Sequence, residues 1–68
     1  MSLHSYQVSL ELIKNDPPFS ALIMAAMRKA DTNNAQLLVS AFPEIWEELS
    51  ERYWSPKGLI AGEEQLNN

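Results

Sequence analysis

The chain has no cysteine, so no disulfide can brace it and no thiolate can hold a metal. It has only two glycines, Gly58 and Gly62, too few for a glycine-rich loop that cradles phosphate. Its one histidine, His4, stands in no ligand spacing with Asp or Glu and reads as a surface residue. Nothing resembles a nucleophile elbow or an oxyanion loop, so a preorganised catalytic site is not expected. No apolar run reaches the ~20 residues that a membrane-spanning helix needs. Met1 to Ser5 lack the basic start and apolar stretch of a signal peptide. Missing cysteine also fits a reducing compartment. The expectation is a non-enzymatic, cytoplasmic protein with no cofactor.

Positive charge is scarce as well. Lys and Arg number 5 against 9 Asp and Glu, a net charge of −4. The imbalance is local. Up to Pro43, Glu11, Asp16 and Asp31 offset Lys14, Arg28 and Lys29. From Glu44 onward, the glutamates outweigh Arg52 and Lys57 and carry the whole net charge. Such a surface repels nucleic acid and anionic membrane and favours a basic partner. The 68 residues allow one small domain, expected over 1–60, with a frayed polar tail over 61–68. A chain of this size buries only ~60% of the surface its unfolded form exposes.

What is present is apolar helix. The run Phe19 to Met27 contains one polar residue, Ser20, and no charge. Asp16 is the expected cap of a helix opening at Pro17. Phe19, Leu22, Ile23, Ala26, Met27 and Ala30 share a broad face, and Arg28 and Lys29 suit the last turn. Asp31-Thr32-Asn33-Asn34 breaks this helix, with Thr32 preferred as the next cap and Asn33 second. A short helix over Asn33 to Phe42 then presents Leu37, Leu38, Ala41 and Phe42. Pro43 enforces a bend and opens a helix to about Trp54, with Ile45, Trp46, Leu49 and Tyr53 as its apolar stripe. Ser55-Pro56-Lys57-Gly58 reads as a turn. Leu59 and Ile60 are expected to return to the core.

Residues 3–14 are ambiguous. Leu3, Tyr6, Leu10 and Ile13 share a helical face, yet Tyr6, Val8, Leu10 and Leu12 alternate as a strand would. A lone strand has no partner within the chain, so helix is preferred. The fold class expected is all-α, a small bundle of three to four short helices.

Four constellations invite functional readings. Glu44, Glu47, Glu48 and Glu51 form an acidic face. A metal-binding carboxylate helix would draw on it, but helical metal sites also take ligands from neighbouring helices, which supply almost none here. The ordinary reading is a solvated face with a Glu48–Arg52 pair. The two central helices have helix-turn-helix lengths, and Asn33, Asn34, Gln36 and Ser40 are of types that touch base edges. The supposed recognition helix has no cation for phosphate, which weighs against a transcription regulator. Trp54 lies roughly opposite the Trp46/Leu49/Tyr53 stripe and suits an exposed anchor. Met24, with Ala21 and Ala25 beside it, faces away from the main apolar face. Intramolecular cover by residues 3–14 is the economical expectation, and another chain is the alternative. The candidate partner surface is therefore Ala21, Met24, Ala25 and Trp54.

Residues Pro18-Phe19, Ala21 to Arg28, Ala30-Asp31, Ala41-Phe42-Pro43-Glu44, Trp46, Glu48-Leu49 and Arg52-Tyr53 carry a resemblance. The stretch Asp16 to Leu59 resembles short uncharacterised helical proteins of bacteria, phages and mobile elements. The Ser55-Pro56-Lys57-Gly58 turn departs from the Pro-Gly-Gly of that pattern. The resemblance implies a small accessory protein acting on another protein and assigns no site residues. The reading as a whole is protein–protein interaction, by self-association as a homo-oligomer or by binding a larger partner.

Overall fold

The structure, a computed structural model, describes residues 2–60, 62 and 63. It is all-α: α1 Leu3–Ile13, α2 Phe19–Lys29, α3 Thr32–Ala41 and α4 Pro43–Tyr53, then a 3-10 turn at Pro56–Gly58. No strand occurs among the described residues, which settles residues 3–13 as helix. No helix among them is long and apolar enough to cross a membrane.

Local chemistry explains each boundary. Ser2 caps α1, its hydroxyl accepting from the Ser5 N–H at 3.1 Å. Asp16 does not cap α2, contrary to expectation. It sits at φ 50 in the left-handed region, and its N–H is turned back onto the Ile13 carbonyl at 2.9 Å. The helix begins at Phe19 rather than Pro17, with Pro18 supplying only its backbone carbonyl to Ala21 and Leu22. Thr32 is likewise not the cap of α3. Asp31 is, its Oδ1 accepting from the Asn34 N–H at 2.8 Å. A carboxylate both fills the orphan donor and faces the positive end of the helix. Asp31→Ala should therefore lower stability by about 1 kcal/mol, measured by urea denaturation. An unchanged midpoint would show that the cap contributes nothing.

Phe42 ends α3 and starts α4 in one residue, at φ −132 and ψ 63. Its N–H donates to the Leu38 carbonyl at 2.8 Å, and its own carbonyl accepts from Trp46 at 3.1 Å. Pro43 then loses nothing, because the first helical N–H has no partner in any case. The Phe42 ring meets Phe19 edge to face at 5.6 Å and ties the start of α2 to this corner.

Helices α2, α3 and α4 each pack against the other two, and α4 also meets the 3-10 turn. Met27, 6% exposed, is the one fully buried apolar residue among those described. Around it Leu22, Ile23, Leu38, Val39, Ile45 and Leu49 are half-buried. The α3 face is rotated from the one expected. Leu37 is 63% exposed, and Ala35, Leu38, Val39 and Phe42 turn inward.

Helix α1 packs against none of the other helices among the described residues. The expected cover of the Met24 side by residues 3–14 is therefore absent. The connector explains why: Asp16 is in the left-handed region, and Pro17-Pro18 fixes two further φ angles. The Cα radius of gyration is 14.5 Å, against about 11 Å for a compact chain of this length.

Candidate functional site

The surface is unusual in what it leaves uncovered. Leu3, Tyr6, Leu10 and Ile13 line one side of α1, Val8 and Leu12 lie on the other, and all are exposed. Exposed large apolar residues on a chain this small mark contact surfaces more often than scattered noise when they lie together.

On the α2–α4 unit a trough runs over Met27. Two adjoining hollows share Met27 and Trp46 in their lining. One extends along α3 past Ala35 and Val39. The other extends along α4 past Leu49 to Tyr53 and Trp54. Tyr53 is 64% exposed and Trp54 83% exposed, their rings edge to face at 5.0 Å. Tyr53 thus belongs to the rim rather than to the core that its spacing suggested. The guanidinium of Arg28 lies 6.0 Å from the Tyr53 ring centre and links α2 to the end of α4. Among the described residues no carboxylate lines either hollow.

The other sequence candidates fall as follows. Ala21 and Ala25 are exposed, and Met24 is half-buried. Glu44, Glu47 and Glu51 are exposed on the arc of α4 opposite its apolar stripe, while Glu48 is half-buried against Arg52. Among the described residues no three His, Asp or Glu side chains gather as a metal ligand set. Asn33, Asn34, Gln36 and Ser40 are exposed on α3. Only Ala30 and Asp31 separate α2 from α3, shorter than the three- to four-residue turn of DNA-binding helix pairs.

A second feature was hidden from the sequence. Arg52 Nε donates to Glu48 Oε2 at 2.8 Å, as the i,i+4 spacing suggested. Its Nη1 also donates to the Gly58 carbonyl at 2.7 Å, and its fork engages both carboxylate oxygens of Glu63 at 2.8 and 2.9 Å. Glu63 Oε1 accepts from the Ile60 N–H at 3.3 Å as well. Glu63 lies within the segment expected to fray, of which 61 and 64–68 are outside the described residues. One arginine clasps the chain after α4 onto that helix. The turn beneath it carries Lys57 at φ 58, where glycine would be unstrained.

The clasp sets its own pH range. The Arg52 hydrogen bonds, followed by the Ile60 N–H, hold the Glu63 carboxyl below its ordinary value. Arg52 is raised above its own and stays charged throughout. A depressed carboxyl stabilises the folded form above its unfolded pKa of about 4.3, and that contribution disappears as pH falls through the lower folded value. Acidification should therefore speed exchange of the Ile60 amide beyond the intrinsic pH trend, and Glu63→Gln should remove the excess. An Ile60 exchange profile equal in both proteins would dissolve this assignment. Compared with protein-family models, with curated proteins and with solved structures, the chain gives no match.

Proposed function

We propose that this chain is a non-enzymatic protein–protein interaction module. One observation carries the reading: among the described residues a single buried apolar residue stands against eleven exposed large ones, from Leu3 to Trp54. Six of them lie on the uncovered α1, three, Trp46, Tyr53 and Trp54, line the trough, and Phe19 and Leu37 stand apart from both. Burial of each would be worth about 1.5–3 kcal/mol, which an associated protein gains and an isolated chain forgoes. Trp and Tyr on the trough rim have the chemistry of interface anchors, with rigid apolar bodies and polar tips. The acidic arc of α4 supports solubility and steers toward basic surroundings.

Affinity capture from the native host tests the reading. The comparison is the chain as it stands against one carrying Tyr53→Ser and Trp54→Ser. Both positions are already exposed, so the fold should survive the change. Proteins, including further copies of the chain, that are retained by the first and lost with the second support the proposal. Equal retention, or none by either, argues against it.

A further inference from the structure

The interaction reading leaves the occupant open, and several observations single one out. We propose, resting on that reading, that the occupant is a second copy of this chain: α1 of each copy lies across the α2–α4 trough of the other.

Area is the first argument. The chain exposes 5946 Å². A compact monomer of 7.7 kDa exposes about 4,300 Å². The excess over the whole chain, about 1,600 Å², is the most that cover could remove from one copy; two copies together reach at most about 3,200 Å², the size of permanent homo- and hetero-complex interfaces alike. What selects a second copy is that one chain carries both the uncovered helix and the unfilled trough, and the two do not meet within it.

Shape is the second. Helices α1 and α4 both have 11 residues and so are about 16 Å long. Leu3, Tyr6, Leu10 and Ile13 give α1 a continuous apolar side for such a trough. The connector at Asp16-Pro17-Pro18 holds α1 off its own trough, and a short, stiff hinge of this kind favours exchange of the element between protomers.

Charge is the third. The Asp, Glu, Lys and Arg content of α1 and its end is Glu11 and Lys14, which pair with each other at 3.0 Å. Among the described residues the trough offers no carboxylate. Glu44, Glu47 and Glu51 lie on the far arc of α4, so two copies can meet here with their net charge turned outward. A dimer through the acidic arc would instead face like charges.

Sedimentation equilibrium over a wide concentration range tests the proposal with three proteins. The unmodified chain should have twice its monomer mass. Leu10→Glu alters α1 at an exposed position, and Ser40→Lys places a cation in the trough lining at an exposed position. Each variant should have the monomer mass and keep the helical circular dichroism of α2, α3 and α4, losing no more than the share of the 11-residue α1. Mixing the two variants should restore dimer, because one unaltered α1 then meets one unaltered trough. Pairing of α1 with α1 alone predicts a different pattern, in which Ser40→Lys still dimerises and mixing rescues nothing. That pattern overturns the proposal, as does dimerisation of Leu10→Glu. A chain that is monomeric at every concentration also overturns it, while capture of a different, Trp54-dependent protein would leave the broader interaction reading standing.

Discussion

Met27→Ala should abolish the cooperative thermal transition of the α2–α4 unit. Met27 is the one apolar side chain among those described that reaches the interior fully, at 6% exposed. Truncating a buried Met to Ala costs about 2–5 kcal/mol through lost transfer and the cavity left behind. Roughly forty residues at 0.05–0.15 kcal/mol each hold on the order of 2–6 kcal/mol in total. The substitution therefore removes most of what keeps the unit folded. Met27→Leu, which conserves volume, should cost under about 1.5 kcal/mol and separate packing from chemistry. Far-ultraviolet circular dichroism during heating reads both. A Met27→Ala protein that melts like its parent would mean that the three helices are held elsewhere.

The second large effect is expected at Arg52. Replacing it with Ala deprives the Glu48 carboxylate, both Glu63 oxygens and the Gly58 carbonyl of their donor at once. Helix α4 should persist, because its apolar stripe does not depend on the clasp. The segment from Leu59 to Glu63 should separate from it. Hydrogen exchange resolves the two, with fast Leu59 and Ile60 amides against a protected α4. Arg52→Lys should behave much like Arg52→Ala, since an ammonium cannot present the planar fork that grips a carboxylate through two nitrogens. Slow exchange at Ile60 in both variants would show that the segment is held without the arginine.

The number and span of the helices were largely readable from spacing and proline placement. Leu3, Tyr6, Leu10 and Ile13 favoured α1 over the strand that Tyr6, Val8, Leu10 and Leu12 also fitted, and Pro43 marked the α3–α4 corner. Caps were less legible, because adjacent residues compete. Asp31 and Thr32 are both capping types, and the carboxylate won the place that Thr32 seemed to hold. Asp16 has the right chemistry but lies in the left-handed region, with its N–H bonded back to Ile13, two residues before the helix cap at Pro18. The α3 face was misread by choosing Leu37 over Val39, since two leucines in a row leave the phase of a ten-residue helix undetermined.

Periodicity also names a face without naming what meets it. That is why α1 was expected to cover the Met24 side and instead stands apart. It is why Tyr53 looked internal on a stripe that runs past the core. The Arg52–Glu63 pair is eleven residues apart in sequence and is brought together only by the turn at Pro56–Gly58. No local pattern encodes it.

The isolation of α1 has a consequence for the lifetime of the chain. A helix of 11 residues without tertiary contacts is shorter than the ~12–15 residues at which even favourable sequences hold helix in water. Its backbone opens at almost no free-energy cost, and an open apolar segment is what proteases bind and cut. The uncovered α1 is therefore where cleavage is expected first. In the proposed dimer that site would be buried, so limited proteolysis should cut within α1 first, and faster in the monomeric Leu10→Glu and Ser40→Lys proteins than in the unmodified chain.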